Sequence, residues 1–266
     1  MLTNDYVPGA PSWLDLGSRD VDAATEFYRA VFGWEFRSAG PDAGGYGMFQ
    51  LAGQTVAGLG PITGEGASPA WTVYFETADA DATSKAVEQG GGTVRFAPLD
   101  IPGEARIAGY TDPAGAEFAV LQPGSLKGLD RTGADALCWT ELYTTDAGQA
   151  KRFYGTVFGW DTEDMPLPGD AGSYTIVSRA GGGQAGSHGG IMQLAPEQLP
   201  DGLCYWQPYF GVADTDAVVT RATSRGATLL MAATDVQGVG RIALLRDPEG
   251  AFFAVLQPDP PAVPAT

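Results

Sequence analysis

The sequence predicts an α+β protein of two tandem domains, each built from two β-α-β-β-β units. The first observation is an internal repeat. Glu-Phe-Tyr-Arg-Ala-Val-Phe-Gly-Trp at 26–34 recurs as Arg-Phe-Tyr-Gly-Thr-Val-Phe-Gly-Trp at 152–160, an offset of 126 residues. The second is a twelve-residue segment beginning Asp-Pro-x-Gly at 112–123, which recurs at 247–258 with an offset of 135. The difference predicts a nine-residue insertion in the middle of the second copy, in Gly- and Pro-rich turns such as those near 167–172 and 180–184.

The repeat divides the chain into a first domain at 1–123, a linker at 124–136, a second domain at 137–258 and a tail at 259–266. The linker contains Gly and charged residues and has no apolar period. The repeated prolines of the tail predict disorder.

The first unit of each domain begins with an alternating strand that opens on Trp13 or Trp139. In the first domain, Asp20 or Asp22 can cap a following helix whose apolar residues recur at helical spacing, and Gly33 ends it. Three further strands follow, near 34–36, 46–51 and 54–59.

The second unit begins with the strand Trp-Thr-Val-Tyr-Phe at 71–75. Asp79 and Asp81 supply caps for a helix that closes at Gly90, and strands follow at 94–96, 106–110 and 117–121. The Asp-Pro-Ala-Gly segment at 112–115 is the predicted turn between the last two strands. The second domain repeats both units at 139–192 and 206–257.

Composition restricts the partners. Lys and Arg total 15 against 32 Asp and Glu, for a formal charge of −17. An acidic surface repels phosphate backbones and anionic headgroups, so we expect neither nucleic acid nor a membrane as a partner. The start lacks the pattern of a secretory signal and no apolar run is long enough to span a bilayer, so we expect a cytoplasmic protein.

The Phe-Tyr and Phe-Gly-Trp motifs, together with the terminal Asp-Pro-x-Gly hairpins, resemble the vicinal oxygen chelate superfamily over nearly the whole chain. This superfamily includes glyoxalase I, extradiol dioxygenases and bleomycin-resistance-type binding proteins. The resemblance implies that paired units form a curved half-barrel around a cavity and that the two domains pack about a pseudo-twofold axis. The chain is then a monomer with pseudo-twofold symmetry, or a homodimer, and it is similar to two-domain glyoxalase-like proteins.

The resemblance also implies where a divalent metal would be bound, by His, Gln or Glu on three strands. The positions that match those ligands hold one hydroxyl, one amide and four side chains without a donor suited to a metal: Trp13, Thr72 and Ala119 in the first domain, and Trp139, Gln207 and Ala254 in the second. The single histidine, His188, matches none of them, aligns with Val56, and is predicted at the surface or at a strand edge. We therefore predict no metal site and no cofactor. A degraded site using Asp15 and Glu117, or Glu141 and Gln207, remains open.

Strand alternation predicts which side chains face the cavity. Apart from the alanines, the expected ligand-binding residues are Trp13, Thr72, Tyr74 and Glu117 in the first domain and Trp139, Tyr143, Gln207, Tyr209 and Phe252 in the second. Aromatic walls with a few polar groups suit a flat organic ligand. The tryptophans could equally fill the space that a metal site would otherwise occupy.

Asp15 and Glu141 occupy equivalent positions beside those tryptophans. A carboxyl with little water around it has a raised pKa and can act as a general base, which makes Glu141 and Asp15 the candidate catalytic residues. The alternative is a carboxylate that only pairs with a neighbouring Tyr or Arg.

A second repeated pair is Asp100 with Arg106, which recurs as Asp235 with Arg241. We predict that each arginine braces a loop through its aspartate, and an anion clamp is the alternative.

Three functions remain open at this point. The first is metal-free binding of a small aromatic or amphipathic metabolite, as in drug-sequestering proteins and secondary metabolism. The second is a glyoxalase-like isomerase, lyase or hydroxylase-type enzyme that uses Glu141 or Asp15 for proton transfer. The third is metal-dependent glyoxalase or dioxygenase chemistry.

Overall fold

The structure, a computed structural model, describes residues 2, 6–64, 66–167, 169 and 172–260. Residues 261–266 of the predicted tail lie outside this part of the chain. The first domain comprises strands β1 (Pro11–Ser18), β2 (Glu35–Ser38), β3 (Gly47–Leu51), β4 (Gln54–Pro61), β5 (Ala70–Glu76), β6 (Thr93–Ile101), β7 (Ala105–Thr111) and β8 (Glu117–Pro123), with helices α1 (Val21–Phe32) and α2 (Ala80–Gln89). The second comprises β9 (Leu137–Thr144), β10 (Asp161–Pro166), β11 (Ser173–Ser178), β12 (Ser187–Gln193), β13 (Tyr205–Gly211), β14 (Thr228–Val236), β15 (Gly240–Arg246) and β16 (Phe252–Pro258), with helices α3 (Ala147–Phe158) and α4 (Thr215–Ser224).

Each domain folds into one open, curved sheet of eight strands. The strand order is β2-β3-β4-β1-β5-β8-β7-β6 in the first domain, and the second repeats it as β10-β11-β12-β9-β13-β16-β15-β14. The strands that open the two units lie at the centre of each sheet, where β1 runs antiparallel to β5 and parallel to β4. The predicted α+β class and tandem organisation are therefore confirmed.

The helix ends follow from their sequence signals. Asp20 caps α1 by accepting a hydrogen bond from the backbone N–H of Ala23, and Asp79 caps α2 in the same way. Gly33 ends α1 with φ of 77°, a conformation that glycine adopts without steric cost. Strand β6 extends well past the predicted 94–96 and exposes Phe96 and Leu99 at the sheet edge.

The nine-residue insertion is divided among three connections. Matched strand registers place Met48 opposite Gly58 and Ile176 opposite Gly190, and both glycines pair with the acidic residue of the central strand. The difference in residue number between equivalent positions of the two domains therefore rises in three steps. It is 126 up to Trp160, 128 in β11, 132 in β12 and 135 from β13 onward. The last step falls in the connection between β12 and β13, which contains two short 3₁₀ helices, Pro196–Gln198 and Pro200–Gly202.

The core lies between the two domains, where the helix-covered faces of both sheets meet. Rings from one domain pack on rings from the other: Phe32 on Phe210 at 5.2 Å between centroids, and Phe75 on Trp160 at 5.1 Å. Aromatic side chains bury large apolar areas, so this contact ties the two domains together. The Phe-Gly-Trp motifs thus serve the interdomain core.

Two symmetric hydrogen-bond chains cross the same interface. Trp71 donates to the Tyr28 hydroxyl at 3.0 Å, and Tyr28 donates to Oδ2 of Asp247 at 3.0 Å. In the mirror arrangement, Trp206 donates to Tyr154 at 2.8 Å and Tyr154 donates to Asp112 at 3.1 Å. The tyrosine of each Phe-Tyr motif therefore binds the Asp-Pro-x-Gly turn of the other domain.

The repeated arginines brace hairpins, as predicted. Arg106 contacts Asp100 at 2.7 Å and Asp81 at 3.1 Å, and Arg241 contacts Asp235 and Asp216 in the same way. Each guanidinium joins a β-hairpin to the first turn of a helix.

No helix among the described residues has the length and apolar character needed to cross a bilayer.

Candidate functional site

The face of each sheet that points away from the interdomain core carries an acidic residue at its centre. We call this the inner face; it holds Asp15 in the first domain and Glu141 in the second. Alternation along β1 puts Leu14 and Leu16 into the core and Asp15 on the inner face. The two acids are equivalent, since Asp15 lies opposite Thr72 and Glu141 opposite Gln207.

The Asp15 carboxyl is held by three donors. Oδ1 accepts from the Trp13 indole at 2.7 Å and from the Tyr46 hydroxyl at 2.6 Å, and Tyr74 is a third hydrogen-bonding partner. Burial raises the pKa of Asp15, while these hydrogen bonds oppose the rise because they stabilise the carboxylate.

The second domain repeats this arrangement around Glu141. Trp139 donates to the Tyr174 hydroxyl at 2.9 Å, and Tyr174 donates to Oε2 of Glu141 at 3.2 Å. The hydroxyls of Tyr143 and Tyr209 also lie beside this carboxyl and are 3.0 Å apart, so one donates to the other and that other donates to Glu141. Burial raises the pKa of Glu141, and its hydrogen bonds with tyrosine hydroxyls act against that rise.

A glycine in the neighbouring strand makes room for each tyrosine. A Cβ atom at Gly58 would lie 1.9 Å from Oδ1 of Asp15 and 2.2 Å from the Tyr46 hydroxyl. A Cβ atom at Gly190 would lie 1.8 Å from the Tyr174 hydroxyl. Such separations are impossible, so these strand glycines are required where the tyrosine crosses the backbone.

We expect Gly190→Ala to displace Tyr174 from Glu141 and to lower the free energy of unfolding by about 1–3 kcal/mol, the usual cost of overpacking. Urea denaturation measures the change. Gly155→Ala is the matched control because a Cβ atom there meets nothing within 4 Å in helix α3, so it should leave stability unchanged or slightly raised. Equal stability of Gly190→Ala and the wild type would contradict the close contact.

The two inner faces differ in what surrounds the acid. Matched registers put Gly17 and Ala70 of the first domain at the positions of Tyr143 and Tyr205 in the second. Glu117 likewise corresponds to Phe252. Asp15 and Thr72 of the first inner face are half-buried, whereas Gln207 of the second is completely buried.

Of the six positions at which the resemblance implies metal ligands, only Thr72 and Gln207 carry an oxygen donor. Trp13 and Trp139 bring indole N–H donors, and Ala119 and Ala254 bring methyl groups, all of them at positions where the resemblance implies His, Gln or Glu. Across the part of the chain that the structure describes, no three His, Cys, Asp or Glu side chains converge as a metal site.

Most of the residues predicted to line the cavities are brought together on the inner faces. The first group comprises Trp13, Asp15, Thr72, Tyr74 and Ala119, and the second comprises Trp139, Glu141, Tyr143, Gln207, Tyr209, Phe252 and Ala254. Glu117 lies at the rim, where its exposed carboxylate pairs with Arg95 at 2.8 Å. Trp13 is buried and occupied by Asp15 and Tyr46, while Trp139 is half-buried.

His188 is not the surface residue that the sequence predicted. Its side chain is 2% exposed and packs against Trp160 in the interdomain core, 5.0 Å between ring centroids. The prediction was wrong because the Ser-His-Gly-Gly segment forms strand β12, whose alternation turns His188 toward the helices as it does Val56 in β4.

Tyr46 and Tyr174 were missed as site residues. Tyr46 directly precedes β3 and Tyr174 is the second residue of β11, but the two-residue shift before β11 hides their equivalence in a simple offset comparison. The signal that could have found them is a tyrosine near the start of one strand together with a glycine in the next one, at Gly58 and Gly190.

Comparison with known proteins agrees with this geometry. Residues 11–120 match the model of the Glyoxalase/Bleomycin resistance protein/Dioxygenase superfamily, and residues 139–256 match that of the Glyoxalase-like domain. The chain belongs to this superfamily. The predicted membership in the vicinal oxygen chelate superfamily, and the description as a glyoxalase-like tandem, are thus confirmed.

This chain is similar to the anthracycline biosynthesis protein DnrV from Streptomyces peucetius. It is 37% identical over 271 residues, which cover 95% of this chain and 94% of the relative. Among solved structures, 2,2',3-trihydroxybiphenyl 1,2-dioxygenase from Sphingomonas wittichii strain RW1 aligns with a TM-score of 0.64 at 13% identity, covering 94% of this chain and 91% of that one. The Mn(II)-bound glyoxalase from Novosphingobium aromaticivorans aligns with a TM-score of 0.61 at 16% identity, covering 96% and 86%. At these identities the structural likeness concerns the fold alone.

Proposed function

We propose that this chain binds a small, flat aromatic or amphipathic metabolite on its inner faces, without a bound metal. The observation that carries the proposal is the carboxyl at the centre of each inner face, half-buried in the first domain and buried in the second, which tyrosine and tryptophan side chains surround beside the positions where the resemblance implies metal ligands. With one such face in each domain, the proposal allows up to two ligands per chain.

The loss of the family's metal ligands is part of this proposal. The ligand positions offer only the Thr72 hydroxyl and the Gln207 amide as oxygen donors, and the neighbouring carboxyls, Asp15 and Glu141, are already hydrogen-bonded to Trp and Tyr side chains. A metal at either carboxyl would have to displace those hydrogen bonds while gaining too few further ligands for a stable site.

The aromatic surface accounts for the class of ligand. Trp139, Tyr205 and Phe252 are half-buried on the second inner face and present ring surface to an incoming molecule. Ring faces favour flat aromatic partners through stacking and edge contacts. The likeness to a protein named for anthracycline biosynthesis also supports a role in processing a metabolite.

A second candidate is an acid–base enzyme that uses Glu141 or Asp15. The observation in its favour is the raised pKa of both inner-face carboxyls, which is the property a general base at neutral pH requires. The hydrogen bonds to each carboxyl favour the binding role, because they stabilise the carboxylate and lower its affinity for a proton from a substrate. An isomerase, lyase or hydroxylase-type reaction would use a lone pair that the Tyr and Trp donors leave free. If Glu141 is the base, Glu141→Gln abolishes turnover and spares binding.

Calorimetry with 2-acetylnaphthalene as the probe, in buffer containing a chelator, tests the binding role. We expect binding to the wild type, recovery of the probe chemically unchanged, and an affinity at least about tenfold weaker in Trp139→Ala, because that variant removes a large aromatic contact. Val239→Ala is the control, since it shortens an exposed apolar side chain in the β14–β15 turn. Binding that requires added metal, or a chemically altered probe, would overturn the proposal.

A further inference from the structure

One buried side chain of the second inner face has no partner for any of its polar atoms. Gln207 is fully buried on β13, and within the described residues neither Oε1 nor Nε2 makes a hydrogen bond. An unpaired buried amide is costly, so nearly all such groups in folded proteins are satisfied. The equivalent residue of the first domain, Thr72, is half-buried and carries no such cost.

The surroundings of Gln207 explain why it is hidden. Glu141 lies beside it on β9, and the register of β13 with β16 puts Phe252 on its other side. Tyr205 precedes Gln207 by two residues on the same face. The rings of Tyr143 and Tyr205 lie 5.2 Å apart, and those of Tyr205 and Phe252 lie 5.1 Å apart.

We call these three rings, Tyr143, Tyr205 and Phe252, the aromatic lid. The first domain has Gly17, Ala70 and Glu117 at the same positions, so it has no lid. The lid therefore belongs to the second domain alone, as does the unpaired amide beside it.

The nearby polar groups leave the Gln207 amide available. Tyr174 donates to Glu141, and of the Tyr143 and Tyr209 hydroxyls, which lie 3.0 Å apart, one donates to the other and that other donates to Glu141. A primary amide presents an acceptor and a donor side by side. Its complement is a ligand edge with a donor next to an acceptor, as in an aromatic carboxamide, a lactam or a hydroxy-ketone.

We infer that Gln207 determines the specificity of the second inner face, selecting flat aromatic molecules whose edge carries a hydrogen-bond donor next to an acceptor. Such a ligand enters when the aromatic lid opens, and its polar edge pairs with the amide while its ring lies against the lid. This inference rests on the proposed function, and it adds the polar edge to the ligand class.

Two probes with the same ring system test the inference. 2-Naphthamide carries the adjacent donor and acceptor, whereas 2-acetylnaphthalene has the acceptor alone. Calorimetry should show 2-naphthamide binding at least about tenfold more tightly to the wild type, because a site built to pair with an amide discriminates against an analogue that leaves it unpaired.

The variant Gln207→Leu should abolish this preference while retaining affinity for 2-acetylnaphthalene. Gln237→Leu makes the same change at an exposed position of the β14–β15 turn and should keep the preference. Thermal unfolding establishes that Gln207→Leu is folded, and we expect its Tm to equal or exceed that of the wild type because two unpaired buried atoms are removed.

The possible outcomes separate the two claims. Equal affinities of the two probes for the wild type, or a preference that survives in Gln207→Leu, overturn the role of Gln207 and leave the proposed function standing. Failure of both probes to bind the wild type overturns both claims. A tenfold preference that is lost only in Gln207→Leu supports the inference.

Discussion

Replacing Asp247 with alanine is expected to lower the free energy of unfolding by about 3–4 kcal/mol, because several buried donors lose their acceptor at the same time. Oδ1 of Asp247 accepts backbone N–H groups of Glu249, Gly250 and Ala251 at 2.8–3.0 Å, and Oδ2 accepts the Tyr28 hydroxyl of the other domain. The side chain thus holds its own turn and the interdomain contact together.

Urea denaturation followed by tryptophan fluorescence measures this effect. Tyr28→Phe removes one of the same hydrogen bonds and should cost about 1–2 kcal/mol. Asp235→Ala is the control, since its carboxylate is 82% exposed in a surface ion pair, which typically contributes less than about 1 kcal/mol. If Asp247→Ala proved no more destabilising than Asp235→Ala, the interdomain hydrogen-bond chain would have no energetic importance.

The second large effect is expected from His188→Val, which should stabilise the protein because it introduces the residue that the first domain has at the equivalent position. Both ring nitrogens of His188 are buried and lack a hydrogen-bond partner in the described structure. Val56 occupies the equivalent place in β4. We expect His188→Val to raise the free energy of unfolding by about 1–3 kcal/mol at pH 7.5, because the variant removes unsatisfied polar atoms from the core.

The gain should grow as the pH falls. Burial lowers the pKa of His188 from 6.5 to about 3. The unfolded chain therefore takes up a proton below pH 6.5 while the folded chain does not, so the wild type loses stability between pH 6.5 and pH 3. Each pH unit in that window adds about 1.4 kcal/mol to the advantage of the variant.

Paired urea denaturations of the wild type and His188→Val at pH 7.5 and pH 5 measure the pH-dependent contribution of His188 to the free energy of unfolding. Asp15 and Glu141 have raised pKa values and shift stability in the opposite direction, but they are present in both proteins and cancel in the difference. The reverse change, Val56→His, should lower stability. An advantage of His188→Val that is the same at both pH values would show that the folded protein protonates His188 without difficulty.

The fold could be predicted from the sequence because each signal was local and occurred twice. The caps at Asp20 and Asp79, the stop at Gly33 and the alternation around Trp13 describe single elements, and the repeat joined them into units. The resemblance then supplied the arrangement of those units in a sheet.

The features that escaped prediction depend on contacts between distant parts of the chain. Tyr28 meets Asp247 across 219 positions of sequence, so neither motif alone reveals the hydrogen bond. Tyr46 reaches Asp15 only because Gly58 lets its ring cross the strand. His188 was predicted at the surface because its glycine neighbours are typical of turns. In the structure the segment pairs with β9 and β11 and forms the interior strand β12.

A crystal structure of the protein with bound 2-acetylnaphthalene or 2-naphthamide tests the central claim most directly. The account predicts a ring lying on an inner face, against Trp139 or above Asp15, with the tyrosine hydrogen bonds to the carboxyl intact and no ion between ligand and protein. A ligand held through a cation coordinated by Glu141 or Asp15, or one bound away from both inner faces, would contradict it.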